Sequence, residues 1–340
     1  LHFVESRDID LTIVGPEAPL ATGIVDRFSH NNRDIFGPKA GPARLESSKS
    51  FAKSLMHKWH IPTADSNMFH DHEQASEHLK QLSTYPTVIK ADGLASGKGV
   101  YICNDEIEAR RAIEDLMVNR IFGDAGKLIL VEEFLKGREV SVFTFTDGTN
   151  ISPIIAACDH KRIGEGDTGP NTGGMGAFSP PPFWSSSLEN EISSRIIKPI
   201  IRAMEIDVAP FIGTIFAGLM ITDDGPKVVE FNCRLGDPET QVIIPLLQTD
   251  LLNVFKNCIH GNLGREDVIW DDKASVSVVM ASGGYPTKYS TGYEISGLDK
   301  IKDPVNVFHA GTRMNKSGSV VTDGGRVVSV CATGTSIYET

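Results

Sequence analysis

Two lysines beside a glycine-rich turn have the residue types that bind nucleotide phosphates. Lys90 ends one predicted strand, and Lys98 lies in the turn that leads to the next strand. Gly93 and Gly97 in this turn would let backbone N–H groups approach phosphate oxygens, while the lysines supply positive charge. The turn differs from a Walker loop, because no Ser or Thr follows Lys98 and a strand comes next instead of a helix. The alternative is a β-hairpin with a solvent-exposed lysine.

A pair of oxygen ligands stands near the end of another predicted strand. Side chains two residues apart on a strand point to the same side, so Glu230 and Asn232 would face one space. A carboxylate and an amide oxygen, completed by substrate phosphates, form a suitable shell for Mg²⁺. Arg234 continues this face and could hold a carboxylate through two N–H bonds. The alternative is an edge strand that shows its polar face to water.

Two further polar segments are weaker candidates. The strand at 130–135 contains Glu132 and Glu133, and it could present backbone groups to an adenine edge and a carboxylate to ribose hydroxyls. Solvated glutamates on a strand are the simpler explanation. The basic run 159–162 leads into a glycine-rich stretch, which could equally be a flexible surface loop.

The composition is that of a soluble globular protein with two or three domains. Of its 340 residues, 40% are hydrophobic and 23% are charged. The net charge of −11 argues against nucleic acid as a partner, because phosphate backbones require clustered Lys and Arg. Five scattered cysteines indicate reduced thiols in a cytoplasmic protein. No apolar run approaches the ~18 residues that a membrane span needs, so no membrane partner is expected.

Strands alternate with helices at the start of the chain, which is typical of an α/β fold with a parallel sheet. The apolar run 9–14 predicts a strand buried on both faces, and a helix over 18–30 and a strand at 34–37 follow it. A helix over 43–59 comes next, and residues 163–182 carry no periodicity, which indicates a long functional loop. Further strands are predicted at 87–90, 100–103, 128–131, 140–145, 151–157, 214–221, 227–231, 275–281, 305–310, 318–322 and 326–332. Further helices are predicted at 105–119, 186–206 and about 240–260.

Five motifs, in this order along the chain, resemble the phosphoribosylamine–glycine ligase family of ATP-grasp enzymes. They are GPEAPL at 15–20, KADGLASGKG at 90–99, DHKR at 159–162, NTGGMGAFSP at 171–180 and EFNCRLGDPETQ at 230–241. The resemblance extends over essentially the whole chain. The family's opening strand, its substrate-phosphate loop and its final helices have no counterpart here, so we expect a piece of a longer protein.

The resemblance implies an α/β protein with the ATP-grasp fold, a partial Rossmann-like N-terminal domain and a β-rich C-terminal domain. The implied limits are 1–45 for the N-terminal substrate-binding domain, 46–262 for the ATP-grasp domain and 263–340 for the truncated C-terminal domain. A small lid subdomain would occupy about 63–135.

The implied reaction joins glycine to 5-phosphoribosylamine through glycyl phosphate and yields glycinamide ribonucleotide, ADP and phosphate in de novo purine biosynthesis. ATP and Mg²⁺, or Mn²⁺, would be the cofactors. Small molecules would be the partners of a monomer or dimer. Another ATP-grasp ligase or carboxylase, and a nucleotide-binding module without turnover, are the rival interpretations.

The resemblance also implies roles for individual residues. The nucleotide would contact Lys90, Gly93, Gly97, Lys98, Glu132, Glu133, Phe134, Leu135 and Glu139. Glycine and the amine substrate would contact Glu17, Lys161, Arg162, Asn171, Gly173, Gly174, Arg234 and Asp237. Glu230 and Asn232 would bind the metal ion, and Arg234, Lys98 and Asp159 would take part in catalysis. The preceding strand, 217–221, carries no acidic residue, so phosphates and water would complete the metal shell.

Overall fold

The computed structural model describes residues 1–95, 98–166, 168–264 and 267–340. Gly97, which is predicted to contact a phosphate, therefore lies outside the described residues. The helices are α1 (His2–Ser6), α2 (Glu17–Ala21), α3 (Ile24–His30), α4 (Ala40–Ser47), α5 (Lys49–Lys58), α6 (His72–Leu79), α7 (Glu106–Ile113), α8 (Ser186–Ile192), α9 (Lys198–Asp207), α10 (Thr240–Ile243) and α11 (Leu251–Ile259).

The first nine strands are β1 (Leu11–Ile13), β2 (Asp34–Phe36), β3 (Ser66–Phe69), β4 (Thr87–Ala91), β5 (Val100–Cys103), β6 (Ile129–Glu133), β7 (Arg138–Asp147), β8 (Ile155–Asp159) and β9 (Arg162–Gly164). The remaining strands are β10 (Thr168–Asn171), β11 (Gly176–Ser179), β12 (Ile212–Thr222), β13 (Gly225–Asn232), β14 (Ala274–Ala281), β15 (Asn306–His309), β16 (Thr312–Met314), β17 (Val320–Thr322) and β18 (Arg326–Gly334). The predicted mixture of helix and strand is confirmed.

The N-terminal part of the chain is a two-stranded parallel sheet. β1 pairs with β2, and α2 and α3 form the crossover between them, which confirms the predicted strand–helix–strand order. The prediction of one helix over 18–30 is wrong, because Gly23 adopts the left-handed conformation, with φ of 82°, and separates α2 from α3. The prediction that β1 is buried on both faces is also wrong. Ile13 is 49% exposed, since β1 pairs with β2 alone among the described strands.

The predicted helix over 43–59 is divided at Ser48 into α4 and α5. Ser48 has an extended backbone, with φ of −141°, and its hydroxyl accepts the N–H of Phe51, which caps α5. The same hydroxyl lies 3.3 Å from both carboxylate oxygens of Asp92, at the start of the glycine-rich turn. The break in the helix therefore brings the first turn of α5 to this loop.

A four-stranded antiparallel sheet with the order β3-β6-β4-β5 carries the glycine-rich turn. α6 and α7 pack on it, and their apolar side chains share a core with the sheet that includes Leu79, Ile89 and Ile113. The predicted helix over 105–119 is confirmed as α7 and the π-helical turn Glu114–Val118. β3 and α6 were not predicted, because their sequences mix polar and apolar residues without a clear period.

An eight-stranded sheet with the order β13-β12-β7-β8-β11-β14-β18-β15 runs through the rest of the chain. Helices cover it on two sides, because neighbouring residues of a strand face opposite ways. On β7, Val142 packs in one core with Ile200 and Met204 of α9. The next residue, Phe143, packs in another core with Val242 and Ile243 of α10.

The prediction of a long loop over 163–182 is wrong. The segment contains most of β9, all of β10 and β11, and β11 pairs with both β8 and β14 inside the large sheet. Glycine is uncommon inside strands, so the glycines of this segment gave no strand signal. Gly176 allows a close approach to β14, because a Cβ there would lie 2.5 Å from the carbonyl oxygen of Ser277. The strand predicted at 151–157 begins only at Ile155, and β16 was not predicted. None of the helices within the described ranges is long and apolar enough to span a membrane.

Candidate active site

A buried cluster of two lysines and one glutamate lies where the four-stranded sheet meets the large sheet. Glu132 Oε2 lies 2.9 Å from Lys90 Nζ, and Glu132 Oε1 lies 3.4 Å from Lys53 Nζ. Lys90 also donates to the carbonyl of Val229 on β13, at 3.2 Å. The Glu132 carboxylate therefore holds positive charge from β4 and α5 against the large sheet.

Lys53 is a site residue that sequence reasoning missed. It is buried on α5, and its ammonium donates to Thr63 Oγ1 at 2.8 Å and to the carbonyl of Ala64 at 2.9 Å. Burial lowers the pKa of Lys53 to about 8, although the Glu132 carboxylate opposes the shift. The available signal was a lysine among the apolar positions Ala52, Leu55 and Met56 of one helix.

The strand predicted to meet adenine ends at the surface. The Glu132 side chain points to the two lysines. The predicted contact of Glu132 with the nucleotide would therefore be made by its backbone. Glu133, the next residue, is partly exposed and pairs with Lys227 of β13 at 3.0 Å. Phe134 is 40% exposed and Leu135 is half-buried. Their contacts with a nucleotide stay a prediction.

The glycine-rich turn is attached to the first turn of α5. Asp92 Oδ1 accepts the N–H of Ser50 at 2.6 Å, and Lys49 Nζ donates to the carbonyl of Gly93 at 3.3 Å. Burial lowers the pKa of Lys49, while the nearby Glu230 carboxylate opposes this shift. Lys98 is exposed, so the two lysines predicted from the sequence differ: Lys90 is buried and Lys98 faces solvent.

The predicted metal ligands lie on one face of β13. Glu230 and Asn232 stand opposite Gly218 and Phe216 of β12, and Glu230 is exposed. Within the described ranges no group of three His, Cys, Asp or Glu side chains could hold a metal ion. One carboxylate and one amide oxygen fit a magnesium ion whose remaining ligands are phosphates and water.

Arg234 and Glu17, which come from distant parts of the chain, meet directly. Arg234 Nε donates to Glu17 Oε2 at 3.0 Å, and Arg234 Nη2 lies 3.2 Å from Glu46 Oε1. Arg234 Nη1 donates to the carbonyl of Leu235, so each guanidinium nitrogen has a protein acceptor. Burial raises the pKa of Glu46 to about 7, although Arg234 opposes this shift. Glu46 is a second residue that sequence reasoning missed, because nothing in its helix pattern marks it.

The basic run after β8 forms an ion-pair cluster. Lys161 pairs with Glu139, and its Nζ lies 4.0 Å from Asp159 Oδ1. Burial alone would lower the pKa of Lys161, but the carboxylates of Asp159 and Glu139 outweigh it and raise that pKa. Glu139, predicted to contact the nucleotide, therefore faces Lys161. Arg162 donates to the carbonyl of Gly169 at 3.0 Å.

The glycines of the 171–180 motif lie beside Asp237. Asn171 is exposed at the end of β10, where it stands opposite Arg162 of β9. Arg326, at the start of β18, bonds to the carbonyl of Gly173 and, at 2.6 Å, to Asp237 Oδ2. The structure brings Gly173, Gly174 and Asp237 together around Arg326, the third residue that the sequence did not reveal, and their contact with the substrates stays a prediction.

Glu239 is a buried carboxyl group close to Asp159. Only 4% of Glu239 is exposed, and the hydroxyl of Ser141 donates to its Oε1 at 3.3 Å. Burial, reinforced by the negative charge of Asp159, raises the pKa of Glu239 to about 7. A carboxylate this deep destabilises the folded protein at neutral pH.

We expect Glu239→Gln to stabilise the protein increasingly as the pH rises. Folding raises the pKa of this group from 4.5 to about 7. Protonation of Glu239 therefore stabilises the folded state fully below pH 4.5, and this stabilisation is lost as the pH rises through 7. The amide does not titrate. The free energy of unfolding of the variant, relative to wild type, should therefore rise by about 3 kcal/mol over this range. Urea denaturation at several pH values measures it. A difference between Glu239→Gln and wild type that stays flat with pH would refute the assignment.

Two antiparallel sheets that enclose a buried lysine pair, with a carboxylate and an amide side chain on the facing strand, indicate an enzyme of the ATP-grasp class. Residues 47–240 match the family domain described as "Phosphoribosylglycinamide synthetase, ATP-grasp (A) domain". Residues 1–46 match the N domain of the same family and residues 275–340 match its C domain. The chain belongs to the phosphoribosylglycinamide synthetase family of ATP-dependent ligases.

Individual relatives agree with this assignment. A phosphoribosylamine–glycine ligase from Caldanaerobacter subterraneus subsp. tengcongensis is 47% identical over 338 residues, which cover 99% of this chain and 80% of that protein. The crystal structure of phosphoribosylamine–glycine ligase from Thermotoga maritima superposes with a TM-score of 0.82 at 34% identity, covering 93% of this chain and 78% of that one. The biotin carboxylase domain of the Hydrogenobacter thermophilus 2-oxoglutarate carboxylase has a TM-score of 0.75 at 15% identity, covering 98% and 72%, and shares the fold alone.

Proposed function

We propose that this protein joins glycine to 5-phosphoribosylamine with ATP and forms glycinamide ribonucleotide, ADP and phosphate. The observation that carries the proposal is the position of β13 and the residues that follow it. Lys90 donates to the carbonyl of Val229, Glu230 and Asn232 follow on the same strand, and Arg234 donates to Glu17 just beyond its end. One strand therefore connects the phosphate, metal and substrate candidates.

The proposed chemistry activates a carboxylate before an amine attacks it. A carboxylate is a poor electrophile, because its leaving group would be oxide. Transfer of the γ-phosphoryl group of ATP to a glycine carboxylate oxygen gives glycyl phosphate and ADP. The amine nitrogen of phosphoribosylamine then forms a bond to the carbonyl carbon, phosphate leaves with the electrons of the C–O bond, and the nitrogen loses a proton.

Phosphoryl transfer requires mainly positioning and charge neutralisation, and the buried residues would supply both. Lys90 and Lys53, held in place by Glu132, would neutralise phosphate charge, and Lys98 would approach from the glycine-rich turn. Glu230 and Asn232 would hold Mg²⁺ or Mn²⁺, which would supply positive charge against the ATP phosphates.

The substrate side would be formed by a second group of residues. Glu17 would contact the ribose of the amine substrate, and Arg234 would hold the Glu17 carboxylate in place. Asp159 would take part in catalysis through its ion pair with Lys161, which lies beside the glycine-rich motif 171–180. Small molecules are the proposed partners, with the protein cytoplasmic and monomeric or dimeric. The domain limits 1–45, 46–262 and 263–340, with a lid at about 63–135, stay predictions.

The test is the formation of ADP by the purified chain with ATP and Mg²⁺. We expect ADP formation to require both glycine and phosphoribosylamine and to be matched by glycinamide ribonucleotide. Bicarbonate in place of glycine should support no turnover. This control distinguishes the proposed ligase from the carboxylases that share its fold. ADP formation that ignores glycine, or nucleotide binding without turnover, would overturn the proposed function.

A further inference from the structure

The glycine-rich loop that contains Gly173 and Gly174, on the proposed substrate side, is held by residues of the C-terminal part of the chain. Arg326 Nη1 donates to the carbonyl of Gly173 and lies 3.5 Å from that of Gly174. The hydroxyl of Tyr285 accepts the N–H of Gly173 at 3.0 Å. One loop residue is therefore bound at both its carbonyl and its N–H by side chains more than a hundred positions away.

The same arginine binds Asp237, which follows the metal-ligand strand. Arg326 Nη2 lies 2.6 Å from Asp237 Oδ2, and Arg326 Nη1 lies 3.4 Å from the Asp237 carbonyl. Asp237 Oδ1 accepts from the amide of Gln241 at 2.8 Å. A planar guanidinium presents its donors in fixed directions, so it joins the loop and Asp237 in one geometry.

The glycines at this contact are closely packed against neighbouring residues. A Cβ on Gly173 would lie 2.9 Å from Arg326 Cζ. Gly174 has φ of 100°, and a Cβ there would lie 2.4 Å from Cδ of Pro238. A Cβ on Gly325 would meet the ring of Tyr285 at 2.3 Å. Glycine is therefore needed at Gly173 for the approach of Arg326 and at Gly325 for the approach of Tyr285, while Gly174 allows the loop to pack against Pro238.

We propose that Arg326 and Tyr285 are positioning residues for the two substrates other than ATP. They fix the loop at Gly173 and Gly174 relative to Asp237, and so set the shape of the glycine and phosphoribosylamine pocket from outside it. All the acceptors of Arg326 described above belong to the loop or to Asp237, and none belongs to the lysine cluster that would bind ATP. This inference rests on the proposed function.

The expected result is a selective loss of the non-nucleotide substrates. Arg326→Met should lower kcat/KM for glycine and for phosphoribosylamine by about 10- to 100-fold, because a displacement of about 1 Å in a substrate-positioning group has effects of this size. The KM for ATP should stay within about 2-fold. Arg326→Lys keeps the charge but loses the planar fork, so it should recover only part of the loss. Tyr285→Phe removes one hydrogen bond and should act in the same direction, more weakly.

Arg313→Met is the matched control. Arg313 also lies in the C-terminal part and pairs with an aspartate, Asp323, at 3.1 Å, but Asp323 belongs to the C-terminal part and not to the loop. It should leave all three KM values unchanged. Thermal melting verifies the fold of each variant, and Arg326→Lys and Tyr285→Phe serve if Arg326→Met does not fold.

Two results would overturn the inference: unchanged kcat/KM for glycine and phosphoribosylamine in the folded variants, or an equal rise in the KM for ATP. A failure of the proposed function has a different signature, because wild-type protein would then turn over ATP with another carboxylate. The same comparison of KM values, made with that carboxylate, still decides the role of Arg326 and Tyr285.

Discussion

Replacing Glu230 with Gln should lower ligase turnover by about 100-fold or more while the protein remains folded. The change keeps the volume of the side chain and removes the negative charge proposed to hold the metal ion. Glu230 is exposed on β13, and the described residues offer no cluster of three acidic, His or Cys side chains to compensate. Loss of one of the two proposed protein ligands should therefore be severe. Steady-state kinetics across a Mg²⁺ titration measures the effect.

Asp224→Asn is the matched control for this prediction. Asp224 is also an exposed carboxylate of the β12–β13 hairpin, but it lies in the turn at the opposite end from Glu230. The control should keep full activity and the wild-type dependence on Mg²⁺. Near-normal turnover of folded Glu230→Gln protein would remove Glu230 from the metal site.

The sequence was sufficient for the class of fold and for most of the regular elements. Strongly periodic or apolar segments, such as 186–206 and 214–221, lie where they were predicted, because burial of one face determines both the pattern and the structure. The helix breaks that were missed depend on local backbone geometry instead. Gly23 and Ser48 each divide a predicted helix, since a left-handed glycine and a capping serine act without changing the apolar pattern.

The candidate site divides in the same way. Residues within a motif, such as Glu230 and Asn232, could be placed together because the spacing on one strand fixes their direction. Lys53 gave only the signal of a lysine among apolar helix positions, and Glu46 and Arg326 gave none. The partners of these three residues lie about 80, 190 and 90 to 150 residues away in the chain. Only the packing of the sheets brings these charges together.

Glu132→Gln should have the largest effect on stability, a loss of about 3–5 kcal/mol in the free energy of unfolding. Glu132, Lys53 and Lys90 are each at most 4% exposed, so removing the carboxylate leaves two buried ammonium groups without their shared counter-charge. Urea denaturation at neutral pH measures the loss. Glu133→Gln, at the next residue, breaks a partly exposed ion pair with Lys227 and should cost at most about 1 kcal/mol.

The pH dependence of the Glu132→Gln loss identifies its cause. Folding already lowers the pKa of Lys53 from 10.5 to about 8, and loss of the Glu132 charge should lower it further. A lysine with a depressed pKa binds fewer protons in the folded than in the unfolded state, so its penalty disappears as the pH rises toward 10.5. The difference between Glu132→Gln and wild type should therefore narrow in alkaline solution. A loss that stayed constant with pH would indicate that Glu132 stabilises the fold by packing, and the two lysines would then need no counter-charge to stay buried.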